Sequence, residues 1–288
     1  MKILLYGYNG WIGNQLLDLL KQDPSISLDL GQTRIDDIIS LTAEIDRINP
    51  THIISFTGRT HGSIGDKIYT TIDYLEQPGK LVENLQDNLY GPVSLALECK
   101  RRNIHYTYLG TGCIFTDTDS HTNFSENDIP NFTGSSYSTV KGFTDRLFHQ
   151  MQDTVLNLRI RMPIVGYNCP RNFITKILTY DKICSISNSM SVLPDLLPLA
   201  ISLIKRNITG TINLTNPGTI SHNEILELYT KHVDPTFTWK NFTIEEQRKI
   251  IDSERSNNKL DTTLLESFFP DVPPIKDSIQ HLFQHWKS

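Results

Sequence analysis

The chain opens on a short run, Lys2-Ile3-Leu4-Leu5-Tyr6, that stops at Gly7, the first of three evenly spaced glycines, Gly7, Gly10 and Gly13. The residues that follow, Trp11 to Leu20, carry Ile12, Leu16, Leu17, Leu19 and Leu20 at helical spacing. An apolar run bounded by glycine reads as a buried parallel strand, and the stripe after it as an amphipathic helix. A strand that passes straight into a helix commits the chain to a parallel sheet, because the next parallel strand can be reached only by a crossover. Glycine in that turn lets the backbone bend sharply and approach a pyrophosphate, whose charge meets the helix N-terminus. The GxxGxxG spacing directly after the first strand predicts a dinucleotide-binding loop, with Gly7, Asn9, Gly10, Trp11, Ile12 and Gly13 against the cofactor.

The rest of the first half alternates in the same way. Strands are expected at Ile26 to Leu30, His52 to Phe56 and His105 to Leu109, and another ends at Arg159-Ile160-Arg161-Met162-Pro163. Helices are expected at Ile35 to Ile48, stopped by Asn49-Pro50, and at Leu81 to Arg102, whose Lys100-Arg101-Arg102 suits a helix C-terminus. This predicts an α/β fold, a doubly wound parallel sheet of the Rossmann type. Near residue 160 the texture shifts to prolines, asparagines and shorter elements. A cofactor-binding domain over 1–165 and a smaller substrate lobe over 166–288, packed on the first, are therefore expected. The amphipathic stretch Ile275 to Trp286 should pack rather than stand free.

Composition excludes several classes. With 38% hydrophobic and 20% charged residues, the chain is neither disordered nor a membrane-spanning protein. Its 27 basic and 32 acidic residues leave a net charge of −5, so no nucleic-acid partner is expected. Cys99, Cys113, Cys169 and Cys184 form no CxxC pair and resemble neither a zinc site nor a disulfide framework. With no signal peptide at the short apolar start, a reduced, cytoplasmic protein is expected, and the Asn-x-Ser/Thr triplets at Asn123, Asn131 and Asn241 read as turns. His281 and His285 have metal-ligand spacing but no third ligand, so no metal is expected.

Two further features speak to chemistry. The second strand ends Leu30-Gly31-Gln32-Thr33-Arg34, with no acid at its tip for a ribose 2′-hydroxyl and with Arg34 placed to meet a 2′-phosphate. This favours NADPH, with NADH the alternative. The turn Thr57-Gly58 lies at the same sheet edge and is expected to line the cofactor. Tyr137 and Lys141 are four residues apart and share one helix face. A nearby ammonium can lower a phenol's pKa, so that Tyr137 can donate a proton to a carbonyl as hydride arrives. Thr111 stands at the end of the preceding strand, where α/β sheets bind ligands, and can hydrogen-bond a substrate oxygen. Cys113, two residues on, can reach the same pocket.

The order of glycine loop, Thr111, Tyr137 and Lys141 resembles the short-chain dehydrogenase/reductase superfamily, in the extended branch that handles nucleotide sugars. Asn88 sits where that branch has a helix Asn that props the active site. The stretches Gly110-Thr111-Gly112-Cys113-Ile114-Phe115, Pro130 to Ser135, Arg161-Met162-Pro163, Pro170 to Lys176 and Arg255-Ser256-Asn257-Asn258 are similar to the bifunctional 3,5-epimerase/4-reductases. The similarity runs over nearly the whole chain.

The resemblance implies conversion of UDP-4-keto-6-deoxyglucose to UDP-L-rhamnose, by C3/C5 epimerisation and then NADPH-dependent C4 reduction. It implies Cys113 and Lys176 as the epimerisation pair, with Thr111, Tyr137 and Lys141 serving reduction. Substrate contacts are expected from Asn88, Thr111, Cys113, Asn172, Asn188, Arg255 and Asn258. Arg255 can pair with a diphosphate, and Trp239 could stack on a base or sit in the core. A separate UDP-glucose 4,6-dehydratase is expected upstream, and a homodimer is left open. The rival readings are a plain 4-keto reductase, a 4,6-dehydratase or 4-epimerase with bound NAD, and a non-catalytic protein on the same fold. The Gly112-Cys113 pair after Thr111 argues against a dehydratase, which usually carries an acid there. Retention of both Tyr137 and Lys141 argues against the non-catalytic protein.

Overall fold

The computed structural model describes residues 1–287. Six parallel strands form the central sheet: β1 (Lys2–Tyr6), β2 (Ser27–Leu30), β3 (His52–Ser55), β4 (His105–Thr111), β5 (Val155–Ile160) and β6 (Gly210–Asn213). Their order is β6-β5-β4-β3-β1-β2. The doubly wound α/β expectation therefore holds. Strands β1, β3 and β5 are almost wholly buried, as expected where helices cover both faces.

One face packs on α1 (Trp11–Lys21) and α6 (Leu193–Lys205), through Leu16, Leu20, Leu196 and Leu203 against Ile3, Leu5, Ile54 and Leu158. The other packs on α2 (Ile38–Ile48), α3 (Gly91–Arg102) and Phe148 of α4 (Ser136–Phe148), against Leu4, Ile53, Tyr106 and Tyr108. A third core gathers α5 (Phe173–Leu178), α7 (His222–His232) and α8 (Ile275–Gln284) around Ile174, Ile225, Ile279 and Phe283. Residues 193–213 thus return from the second half of the chain to the central sheet.

Element boundaries shift where local chemistry overrides the apolar pattern. Helix α2 starts at Ile38, three residues later than its periodicity suggests, because the Asp37 side chain accepts from Ser40 N at 3.2 Å and caps it. It ends at Asn49, left-handed at φ 50°, just before Pro50. The helix expected over Leu81 to Arg102 is α-helical at Leu81–Leu85, widens to a π-type turn at Gln86–Tyr90, and resumes as α3. Such turns insert one residue into a helix and cluster at functional sites. Strand β4 runs two residues past Leu109, to Thr111. Among the described residues no helix is long and apolar enough to cross a membrane.

Candidate active site

Strand β1 pairs with β2 on one side and β3 on the other, so the chain reverses its winding direction beside β1. A doubly wound sheet opens a crevice at the carboxyl ends of such strands. Here a cavity of about 800 Å³ lies at that point, lined by the glycine loop, Thr57, Gly58, the end of β4 and the first turns of α4.

The glycine loop can be built in no other way. Gly7 has φ 79°, and a Cβ there would stand 2.5 Å from the Phe56 carbonyl carbon. A Cβ on Gly13 would stand 2.1 Å from Gly7 O, so helix α1 can start this close only with glycine. Gly10 caps α1 without a side chain, which leaves the first helical N–H groups facing the cavity. Trp11 Nε1 is buried without a partner among the described residues. Close backbone, open N–H groups and an orphaned donor suit a pyrophosphate-bearing dinucleotide.

Ser135 caps α4 by accepting from Ser138 N at 3.0 Å, and Tyr137 and Lys141 lie in the first two turns. Both line the cavity with Thr111 and Cys113. Lys141 Nζ donates to the Tyr108 hydroxyl and to Leu109 O at 3.2 Å. Burial pulls its pKa down to about 7, against the pull of Asp145 and Cys113. Burial pushes the Tyr137 phenol up, Cys113 adds to this, and the Thr111 hydroxyl opposes it. Thr111 Oγ1 also accepts from Cys113 N at 3.1 Å, which fixes the turn that carries the thiol.

Helix α4 is held in place by a buried clamp. Asp145 accepts from Arg159 Nη2 at 2.7 Å, from Arg159 Nε at 2.8 Å and from Asn157 Nδ2 at 2.8 Å. The π-type turn braces it from the other side, where Thr144 Oγ1 donates to Asn88 O at 2.6 Å. Asn88 itself is 1% exposed; it accepts from Arg59 N at 3.0 Å and donates to Arg59 O at 2.9 Å. It thus fixes the backbone beside Gly58 and lines the cavity.

The far wall is cationic. Lys176, on α5, lines the cavity and donates to Thr70 O at 3.5 Å. Burial lowers its pKa, and Arg171 and Arg255 lower it further. His61 is held down at about 4 by burial, then by Arg171, Arg59 and Lys176. Such a wall suits an anionic group. Arg255 lines the cavity but is already engaged, its Nη2 at 2.7 Å and Nη1 at 3.2 Å from the two oxygens of Asp73.

Five expected contacts are not brought into the cavity, the first being Gly7, whose backbone packs against Phe56 and Thr57 behind the lining. Arg34 points to the surface, with Nε 2.8 Å from Asp36 and Nη2 2.9 Å from Asp87. Asn172, Asn188 and Asn258 are all 0% exposed. Asn172 caps α5 and donates to Val165 O and Tyr167 O. Asn188 Oδ1 accepts from Arg161 and from Asn258 N. Asn258 donates to Gly112 O and Phe115 O, joining the segment after Arg255 to the turn after β4. Each is a brace between segments, its amide hydrogen bonds going to protein groups, although Asn258 Oδ1 is buried without a partner among the described residues. Trp239 packs in the third core, its Nε1 donating to Asn223 at 2.9 Å.

Sequence reasoning missed His61, Arg161 and His222 as cavity residues. His61 lies in a stretch without a motif. Arg161 and Arg171 stand inside stretches that carried the resemblance, and that was the available signal. Among the described residues, no group of three or more His, Cys, Asp or Glu side chains could hold a metal.

No family model matches the chain. The crystal structure of the UDP-rhamnose synthase from Acanthamoeba polyphaga mimivirus is 51% identical, covers 99% of both chains and superposes with a TM-score of 0.94. The bifunctional dTDP-4-dehydrorhamnose 3,5-epimerase/dTDP-4-dehydrorhamnose reductase of Arabidopsis thaliana is 43% identical over 282 residues, 96% of this chain and 90% of that one. A trifunctional UDP-glucose 4,6-dehydratase/3,5-epimerase/reductase of the same plant is 41% identical over 285 residues, 97% of this chain but only 41% of its own length. With identity this high over nearly the full length, on a sheet wound as that superfamily requires, the chain belongs to the nucleotide-sugar 3,5-epimerase/4-reductases of the extended short-chain dehydrogenase/reductase type.

Proposed function

We infer that this protein converts UDP-4-keto-6-deoxyglucose to UDP-L-rhamnose by epimerising C3 and C5 and then reducing C4. The observation that carries this reading is that Cys113 and Lys176 line the same cavity as Thr111, Tyr137 and Lys141. A plain 4-keto reductase needs only the last three.

The C4 ketone acidifies the hydrogens at C3 and C5. Epimerisation needs a base on one face of the sugar and an acid on the other. Cys113 and Lys176 take these roles. An amine drawn down by burial and by neighbouring cations can accept as well as donate a proton. Thr111 and Tyr137 donate hydrogen bonds to the enolate oxygen. The glycine loop and Thr57-Gly58 would hold NADPH, which would supply the hydride that C4 receives. Tyr137 then passes its proton to the C4 oxygen, while Lys141 holds the ribose and eases the loss of that proton. Asn88 keeps the floor beside Gly58 in place. Arg171 and His61, with Arg255 once it exchanges Asp73 for phosphate, meet the diphosphate. Arg34 is itself exposed and pairs with two half-buried carboxylates, Asp36 and Asp87, and it is placed to turn to a 2′-phosphate.

The substrate has already lost its C6 hydroxyl, so a 4,6-dehydratase must act first. We take that enzyme to be a separate upstream partner and both to work in the cytoplasm, with a homodimer open to test. Incubation with UDP-4-keto-6-deoxyglucose and NADPH, with product analysis by NMR, decides the matter. UDP-rhamnose is expected. A product reduced at C4 with C3 and C5 unchanged, or no product, overturns the reading. The dTDP sugar run in parallel reads the base preference.

A further inference from the structure

Strands β2 and β3 flank β1, so the loops that leave them stand on either side of the glycine loop. Each loop carries an arginine, Arg34 after β2 and Arg59 after β3. The β2 loop is fixed from behind. Glu44 of α2 accepts from Gln32 N at 3.0 Å, from Thr33 N at 3.2 Å and from Thr33 Oγ1 at 2.8 Å. Ile35 then packs against the head of α3, where a Cβ on Gly91 would stand 2.8 Å from Ile35 Cγ1. Glycine at that position lets the β2 loop come up against the π-type turn. The β3 loop is fixed by Asn88, which bonds both the N–H and the carbonyl of Arg59.

Asp87, next to Asn88 in the π-type turn, stands between the two arginines. Its Oδ1 accepts from Arg34 Nη2 at 2.9 Å, and its Oδ2 accepts from Arg59 Nε at 2.8 Å. Asp36 holds Arg34 as well, with Oδ1 2.8 Å from Nε and Oδ2 3.0 Å from Nη2. Asp36 pairs with Arg34 alone, so Asp87 is the carboxylate that joins the two loops. Arginine pairs this open to water are weak, and a better anion can displace the carboxylate. A phosphate is such an anion, and two guanidinium groups converging on one point suit it.

We infer that Asp87 is a specificity-determining residue for the cofactor. It gathers Arg34 and Arg59 into a pair that takes a 2′-phosphate, and by competing for their N–H groups it limits the preference for NADPH over NADH. This deepens the cofactor reading above and rests on it. When a phosphate takes the two arginines, the Asp87 carboxylate remains on the turn beside it, and the two anions repel. A ribose 2′-hydroxyl meets no such repulsion. Removing the charge from Asp87 therefore favours the phosphorylated dinucleotide, whereas removing Arg59 disfavours it.

Calorimetric titration with NADP⁺ and with NAD⁺ reads the two affinities without turnover. In Asp87→Asn the ratio of the Kd for NAD⁺ to that for NADP⁺ should rise about fivefold, the size of a like-charge repulsion between groups open to water at moderate salt. In Arg59→Gln the same ratio should fall about tenfold, the loss expected for one charge-assisted contact. Asp87→Ser also removes the charge, and it carries the same expectation should Asp87→Asn fail to fold. An unchanged or lower ratio in the Asp87 variants overturns the proposal, and so does an unchanged or higher ratio in Arg59→Gln. A wild-type protein that takes up neither dinucleotide overturns the cofactor reading itself. A wild-type protein that takes up both, with ratios that the substitutions leave alone, overturns only the role of Asp87.

Discussion

Cys113 separates the bifunctional reading from a simple reductase, because a 4-keto reductase has no use for a thiol beside the enolate. In Cys113→Ser, deuterium exchange at C3 and C5 should fall by about 10²–10⁴, the range for a lost general acid or base. Reduction of a pre-epimerised sugar should fall far less. Equal loss in both assays would mean that the residue only supports the turn after β4. Arg34 makes a different kind of contribution. It is 63% exposed and held by two half-buried carboxylates, Asp36 and Asp87. Arg34→Ala should raise the KM for NADPH about tenfold and leave that for NADH unchanged, the signature of a lost phosphate contact. If both Michaelis constants stay as they were, the 2′-phosphate is met by another group.

At the level of elements, helix α4, which carries Tyr137 and Lys141, is tied to the sheet by a buried ion pair. Asp145 and Arg159 tie α4 to β5, and Asn157 shares the same carboxylate. Removing one partner strands the other charge in the core. Asp145→Asn should cost about 3–5 kcal/mol in urea unfolding, while replacing the pair with apolar residues of similar volume should cost much less. A loss below about 1 kcal/mol would mean that the π-type turn and Ser135 alone position Tyr137. The element scale also shows where sequence reading falters. The apolar pattern of Leu81 to Arg102 is continuous, so nothing in it marks the wider turn at Gln86–Tyr90. That turn forms where Asn88 must satisfy Arg59 and Asn84 at once.

Over the whole molecule, the cavity joins two groups of histidine chemistry. His61 and His222 both line it, and both are held near 4, chiefly by burial. Between about pH 6.5 and pH 4 the unfolded chain binds protons that the folded state refuses. The stability these two histidines contribute should therefore be lost as pH drops through that window and be absent below it. His222→Phe, read by thermal melts from pH 7 to pH 4, should flatten the slope; an unchanged slope assigns the loss to other groups. The first strand, the glycine loop, the alternation of strand and helix, and the Tyr137–Lys141 pair were all legible in the sequence, because each rests on a local period or on a backbone constraint within a few residues. Thr111 and Cys113 were legible because a strand end points its residues at the crevice. Asn172, Asn188 and Asn258, expected at the cavity, are buried away from its lining, and Arg161, not singled out, lines it, for one shared reason. Whether a polar side chain faces a ligand or braces the core depends on which remote segments supply its hydrogen bonds, and the distance from Asn258 to Gly112 is set by the packing of the whole second half of the chain. The sequence by itself determined the sheet, the glycine loop and the candidate reacting groups; the tertiary structure alone decided which polar residues line the cavity and which are buried as braces behind it.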